Sequence, residues 1–349
     1  MNRAKSLPVR VGVLGCGVIA YWVHLRLLQN LPGATLAAAS DPDPDARARA
    51  RKLVRAPVVE DSQQLLENDD IDAVVICAPT HLHADLATAA CKAGKHVFLE
   101  KPIATNAADS LRVMNAAAEA GVSAMLGFNR RFHPMFEQAR AMIASGEIGD
   151  VRAVQTAFCE PMPLTVMAQW RRSRSTGGGV LLDLASHHVD LLRWFLDDEI
   201  EFAEATISSD VSEHDSATLA LLLRGGTQVQ SFFSYRTGRA DFLEFIGEKA
   251  TLRIDRHEPT FTLKVGRRFG YGTRTRRVVP SLDVAAWRVQ RLVRPSREPS
   301  YRRALGAFVD SIRGTPPRLM SFADGARSLD VILAAEASAK AHAPVRVSG

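Results

Sequence analysis

Cysteine is scarce in this 349-residue chain, with Cys16, Cys77, Cys91 and Cys159 the only four. They form neither a Cys-x-x-Cys redox pair nor a metal-ligand spacing, so no metal is expected, and each reads as a small apolar packing residue. No apolar run approaches the length needed to cross a bilayer, so no membrane-spanning helix is expected. The first ten residues are mostly polar and lack the apolar core of a signal peptide, so the expected location is the cytoplasm. Internal repeats, low-complexity tracts and nucleic-acid motifs are also missing. Aromatic residues make up 7% of the chain and are not interleaved with its basic stretch, so no nucleic-acid partner is expected.

What is present suits an ordinary two-domain enzyme: 46% hydrophobic and 23% charged residues over a length that allows each half its own core. The net charge of +6 is local in origin. Between Arg267 and Arg303 stand eleven arginines and only two acids, Asp283 and Glu298. Such a stretch can attract phosphates or an anionic surface; the plainer reading, preferred here, is a solvated face or a subunit contact. Within it Leu282, Ala285, Ala286, Val289, Leu292 and Val293 recur at helical spacing. This suggests a basic helix packed on its own domain, or alternatively a lid over a substrate phosphate or a peripheral membrane or partner contact.

The N-terminal third alternates strands with helices. Residues 10–14, 35–40, 73–77, 96–99 and 123–126 read as short apolar strands. Helical patterns over 19–31, 43–53, 81–93 and 106–120 lie between them. This order predicts a doubly wound parallel sheet of the α/β class, a Rossmann domain over residues 1–127. Ligands of such sheets bind beyond the carboxyl ends of the strands. There the sequence places Gly15-x-Gly17-x-x-Ala20, with Val18 and Ile19 opening a helix, and Asp41 at the end of the next strand. Gly15 allows the tight turn, Gly17 removes a side chain that would meet a pyrophosphate, and Ala20 permits close helix packing. Asp41 is suited to the adenosine ribose diol and opposes a 2′-phosphate, which predicts NAD in preference to NADP. Arg47 on the following helix is the one neighbour that could reverse that preference.

Taken together, Gly15 to Ala20 with Asp41, Ala78-Pro79-Thr80-His81-Leu82-His83, Glu100-Lys101-Pro102, Gly177-Gly178-Gly179 through Asp183 to His187, and the tail from Tyr301 to Val347 resemble the GFO/IDH/MocA family of oxidoreductases. The family is named for glucose–fructose oxidoreductase, inositol dehydrogenase and rhizopine catabolism. The resemblance implies a second domain over 128–320, built on an open, mostly antiparallel sheet with helices on one face. It implies a C-terminal helix over 321–349 that packs back on the Rossmann domain, and a homodimer or homotetramer. It also implies a hydride transfer between the nicotinamide and the secondary alcohol or ketone of a sugar, cyclitol or sugar derivative.

Oxidising an alcohol needs a proton acceptor and a group that steadies the oxygen. Asp183 and His187 stand four apart on an expected helix, hence on one face. By resemblance His187 is the proton acceptor or donor, and Asp183 orients the substrate or shares the transfer. Lys101, at a strand end, would polarise the substrate oxygen, with a cis bond to Pro102 implied by relatives. The resemblance further implies cofactor contacts at Pro79, Thr80, His83 and Glu100, and substrate contacts at Asn129, Arg130, Trp170 and Arg171. Each keeps a plain alternative: a helix cap for Thr80 and His83, a salt bridge for Arg130, core packing for Trp170. Asp190 reads equally as a substrate contact or as helix packing. Two other functions stay open from the residues alone, a non-catalytic sensor of NAD and sugar, and a dehydrogenase of a non-sugar molecule such as a dihydrodiol.

Overall fold

The computed structural model describes residues 7–257, 261–266, 273–278, 280–293, 298–315 and 320–348. The chain forms two compact units, one made of the residues up to Asn129 with Ser300–Ala326, the other of Arg130–Pro299 with the residues from Arg327 onward.

The first unit is built on strands β1 (Val9–Leu14), β2 (Ala34–Ser40), β3 (Val58–Val59), β4 (Ala73–Ile76), β5 (His96–Leu99) and β6 (Ala124–Leu126). All pair in parallel, in the order β3-β2-β1-β4-β5-β6. The central strands read as unbroken apolar runs because both faces of a parallel sheet are covered, and Val11, Val13, Val74, Val75, Val97 and Phe98 are fully buried. Helices α1 (Leu25–Leu28), α2 (Pro44–Leu53), α3 (Gln63–Leu66), α4 (His83–Lys92) and α5 (Ala107–Ala120) connect them. Asp43 opens α2 by accepting from Asp45 N at 3.0 Å, with Pro44 in the first turn, and Asn106 opens α5 by accepting from Asp109 N at 2.9 Å. The helix expected over 19–31 begins with a π-helical turn at Ala20–His24, ahead of α1. The strand order reverses between β1 and β4, which opens a crevice at the carboxyl ends of those strands.

The second unit contains α6 (Pro134–Ala144), β7 (Val151–Cys159), α7 (Ser186–Leu196), β8 (Ile200–Ser208), β9 (Ser216–Leu223), β10 (Gln228–Ser234), β11 (Ala240–Gly247), β12 (Ala250–Asp255), β13 (Phe261–Gly266), β14 (Thr273–Arg277) and α8 (Leu282–Val293). The tail follows as α9 (Pro299–Ile312), α10 (Phe322–Ala341) and β15 (Val345–Arg346). The nine strands run β14-β13-β12-β11-β7-β10-β9-β8-β15, antiparallel except for the parallel pair β7 and β10. Alternation along β9 sends Ala217, Leu219, Leu221 and Leu223 inward. On that covered face Phe195 of α7 meets Phe245 of β11 at 4.9 Å between ring centroids, and Phe136 of α6 at 6.0 Å.

The domain boundaries differ from the expected 1–127, 128–320 and 321–349. Ser300–Ala326 belongs with the first unit because its anchors are there. Phe308 packs edge-on to Phe98 at 5.7 Å, Asn129 Nδ2 donates to Ser300 Oγ at 2.7 Å, and Leu126 N donates to Met320 O at 2.9 Å. From Arg327 the tail belongs to the second unit. Ser338 Oγ accepts from Ala205 N at 2.8 Å, Arg174 pairs with Glu336, and β15 pairs with β8.

The helix expected in the Arg-rich stretch is present as α8, but on a different face. Among the described side chains of α8, Val284 and Trp287 are buried, with Trp287 edge-on to His133 at 4.8 Å, whereas Leu282 and Val289 are exposed. Arg267, Arg268, Arg294 and Arg297 of that stretch lie outside the described residues. Among the described residues no helix is long and apolar enough to cross a membrane.

Candidate active site

Because the first sheet is parallel, the carboxyl ends of β1, β2, β4 and β5 lie along one edge. Beyond β1 the chain turns at Gly15, whose φ is +93° and whose added Cβ would stand 2.9 Å from the Cys77 carbonyl. Only glycine accepts both that backbone and that approach. Gly17 is different: a Cβ there would meet nothing within 4 Å among the described residues. Protein packing does not require glycine at this position, and the open space suits an incoming phosphate. Val18 and Ile19 start the helix, Tyr21 N donates to Gly17 O at 2.9 Å, and the Val18 side chain is 77% exposed. The N–H groups at the start of a helix suit an anion.

Asp41 stands just past β2. Its Oδ2 accepts from Cys16 N at 2.6 Å and its Oδ1 from Asp43 N at 2.8 Å, which ties the strand end to the glycine turn. Arg47 is engaged close by. Its Nη1 donates to the carbonyls of Asp41 and Pro42 at 2.9 and 2.8 Å, and its Nη2 to Glu60 at 3.0 Å. These residues fit a dinucleotide: a turn with glycine at Gly15 and Gly17, a helix that starts beyond it, and the Asp41 carboxylate at the end of the next strand.

Beyond β4, Pro79 leads into a 3-10 turn that starts at the buried Thr80. His83 is placed differently from the cofactor contact expected of it. The ring is buried between two backbone carbonyls, with Nδ1 2.7 Å from Pro102 O and Nε2 2.9 Å from Ala78 O. Burial, partly offset by these bonds, holds its pKa below the ordinary histidine value. Beyond β5, Glu100 is also buried, and its Oε1 accepts from His24 Nε2 at 2.6 Å. A Cβ on Gly127 would lie 2.9 Å from Glu100 Oε2, so glycine there makes room for the carboxylate. Lys101 follows, partly exposed, and its bond to Pro102 is cis.

In the second unit, two 3-10 turns at Gln169–Arg172 and Arg174–Thr176 fold against the glycine run. A Cβ on Gly178 would fall 2.2 Å from Arg171 O, so this approach too requires glycine. The run leads into a π-helical turn at Leu181–Ala185 and then α7. π turns recur at functional sites because they displace a side chain from the regular helical face. Here the displaced segment carries Asp183. The π turn also interrupts the regular spacing on which the same-face expectation for Asp183 and His187 rested.

The Asp183 carboxylate is buried, and Oδ2 accepts from the Tyr235 hydroxyl at 2.8 Å, with Arg171 Nε 3.5 Å away. Burial and the neighbouring carboxylate push the Tyr235 hydroxyl well above its ordinary pKa, so it remains a donor. The Asp183 charge holds Arg171 above its ordinary value despite burial. His187 is partly exposed, its ring 6.2 Å from that of Phe158. Trp170 is partly exposed under the Arg171 guanidinium at 5.0 Å.

Two of the expected substrate residues carry buried bonds within their own units. Asn129 is buried and bonded to Ser300. Arg130 donates from Nη1 and Nη2 to the two oxygens of Asp241, each at 2.9 Å, and lies 4.3 Å over the Phe158 ring. Asp241 also takes His188 Nε2 at 3.2 Å and Arg256 Nη1 at 3.1 Å. Burial alone would raise the Asp241 pKa, but Arg130, the His188 bond and Arg256 together hold it far below the carboxylate range. Asp190 is likewise a structural partner, bonded through both oxygens to Arg131.

Sequence reasoning missed Tyr235, Asp241 and His24. Asp241 had left a trace: it occupies the inward register of β11 with Leu243 and Phe245, where a charge demands a partner. Tyr235 and His24 lie beside apolar segments and carry no local signal of their distant partners. Among the described residues no group of three or more His, Cys, Asp or Glu side chains is placed to hold a metal ion.

Comparison with known proteins agrees with this architecture. Residues 9–128 match the GFO/IDH/MocA model described as an oxidoreductase family with an NAD-binding Rossmann fold, and residues 136–253 match the GFO/IDH/MocA C-terminal domain. The chain is 28% identical over 340 residues to myo-inositol 2-dehydrogenase of Thermotoga maritima, covering 95% of this chain and 96% of that one. It is 32% identical over 259 residues to the dTDP-3,4-didehydro-2,6-dideoxy-alpha-D-glucose 3-reductase of Actinomadura kijaniata, covering 73% and 77%. The crystal structure of an oxidoreductase domain protein from Kribbella flavida matches with a TM-score of 0.85 at 25% identity, covering 98% of this chain and 100% of that one. With both halves matched in order, the chain belongs to the GFO/IDH/MocA family of oxidoreductases.

Proposed function

We propose that this protein transfers a hydride between NAD and the secondary alcohol or ketone of a sugar, cyclitol or sugar derivative. The observation that carries the reading is the buried Asp183 carboxylate, set in a π turn and held by Tyr235 and Arg171, with His187 following at the start of α7. A bound nicotinamide supplies or accepts the hydride. His187 takes the hydroxyl proton in oxidation and returns it in reduction, because an imidazole titrates near neutral pH. Asp183 binds a substrate hydroxyl and orients it toward that transfer. Lys101 polarises the reacting oxygen and steadies its growing charge. Trp170 and Arg171 contribute to the substrate side. The two relatives named for myo-inositol and for a dTDP-linked deoxysugar support a hydroxyl-rich substrate.

NAD is the cofactor this reading selects. The Asp41 carboxylate would repel a 2′-phosphate, and Arg47 is engaged by backbone carbonyls and Glu60. Gly15, Gly17, Val18, Ile19, Pro79 and Thr80 line the cofactor's path along the sheet edge. The test is near-ultraviolet absorbance of reduced cofactor over a panel of sugars, cyclitols, sugar acids and nucleotide sugars, with NAD⁺ and NADP⁺ in parallel. The expected result is turnover of a polyol with kcat/KM at least about tenfold higher for NAD⁺, a difference of about 1.4 kcal/mol. Silence across the panel while NADH still binds would reject the reading.

A further inference from the structure

The first unit holds two buried histidines that the proposed chemistry does not use, and both reach the residues flanking Lys101. His24, in the π turn after the glycine loop, donates from Nε2 to the Glu100 carboxylate at 2.6 Å. His83, the first residue of α4, lies 2.7 Å through Nδ1 from the carbonyl of Pro102. Its Nε2 lies 2.9 Å from Ala78 O, and the backbone of Cys77 and Ala78 is what Gly15 packs against. These contacts close a ring. It runs from the glycine turn over Cys77 and Ala78 to His83, through Pro102, Lys101 and Glu100 to His24, and back to the helix the glycine turn opens.

We propose that His24 and His83 are positioning residues for Lys101, fixing its strand-end segment from both sides through one specific ring nitrogen each. The proposal rests on the role given to Lys101 above. Both rings are buried, and each adds a side-chain tie to a strand end that the Glu100 N bond to Ile76 O, at 3.0 Å, already holds on one side. A neutral imidazole has a single N–H, and burial keeps His83 neutral, so only one of its two carbonyl contacts is a donated bond at a time. The shorter contact, to Pro102, is the one that reaches the Lys101 segment. Displacing a positioned group by about 1 Å is enough to slow a reaction by on the order of a hundredfold.

The two positions make opposite demands on a replacement. An asparagine amide stands where Nδ1 stands, and a glutamine amide reaches where Nε2 stands. His24→Gln and His83→Asn therefore keep the contact to the Lys101 segment, whereas His24→Asn and His83→Gln lose it. In full-length protein saturated with NAD⁺, the first pair is expected to keep kcat within about threefold of the parent, and the second pair to lose about tenfold or more. NADH affinity stays within about threefold in all four. A readout that needs no substrate accompanies turnover: acylation of the Lys101 amine, followed by mass spectrometry with exposed Lys249 as internal reference. Its rate is expected to change in the second pair only.

Activity and labelling that follow Tm, regardless of which nitrogen is replaced, would overturn the proposal and leave the histidines as packing residues. Should one position not tolerate replacement, the pair at the other decides. If Lys101→Ala turns over as fast as the parent, the catalytic reading of Lys101 fails on its own, and the labelling still reports whether the histidines set its place.

Discussion

The Tyr235 hydroxyl donates to Asp183 Oδ2 across 2.8 Å, joining the residue just past β10 to the π turn ahead of α7. A buried carboxylate that loses such a donor loses a bond worth about 1.5–3 kcal/mol. Tyr235→Phe should therefore lower the denaturation free energy by that order and, with Asp183 freer to turn away, reduce kcat/KM by about tenfold or more. Denaturant melts and steady-state kinetics check both. An unchanged kcat/KM would remove Asp183 from substrate binding.

The Arg130–Asp241 pair makes a prediction of the opposite kind. Because both guanidinium bonds go to a carboxylate that is 1% exposed, Arg130→Met removes its bidentate partner and leaves that charge to His188 and the partly exposed Arg256. Breaking a buried pair in this way costs about 3–5 kcal/mol. The variant should be strongly destabilised, while its folded fraction keeps KM for substrate. A raised KM at unchanged stability would restore Arg130 to the substrate.

Gly15→Ala places a side chain where φ is +93° and the Cys77 carbonyl lies 2.9 Å away. The backbone conformation alone costs about 1–2 kcal/mol, so NADH affinity should fall about tenfold or more as the turn deforms. Isothermal titration measures it. Gly17→Ala should also weaken binding, but with little loss of Tm, since no described protein atom opposes its Cβ.

The buried histidines set an acid limit. Burial holds His188 below its ordinary pKa, with Asp241 acting in the other direction. The folded state thus keeps it neutral, while the unfolded chain takes up a proton near pH 6.5. Its contribution to stability is complete above about pH 6.5 and is lost as pH falls toward the depressed folded value; His83 follows the same sign. His188→Gln retains a donor toward Asp241 and removes the titration. It should shrink the Tm loss between about pH 7.5 and about pH 5.5. An identical loss in parent and variant would show that other groups carry it.

Much of the first unit was legible in the sequence because its signals are local. The apolar strands, the glycine turn, Asp41 and the Glu100-Lys101-Pro102 strand end all declare themselves within a few residues. β3 did not, since two residues carry no period. The second sheet carries a local signal of its own in the alternation along β9 and β10. The tail was not legible: which unit each of its helices joins depends on partners such as Phe98 and Arg174 that lie far away in sequence. The same holds at the site. Asp183 and His187 were visible through their spacing behind the glycines, but the π turn between them was not. Arg130 looked like a substrate residue because its carboxylate, Asp241, stands 111 positions along the chain.

The central claim is that this chain moves a hydride between a polyol carbon and nicotinamide. The most direct test supplies NAD⁺ and a substrate from the panel carrying deuterium on the carbon to be oxidised, then weighs the reduced cofactor by mass spectrometry. Transfer predicts one deuterium on the nicotinamide ring, lost when Lys101 or His187 is replaced by alanine. Bound NADH that never acquires the label, whatever polyol is offered, would contradict the claim.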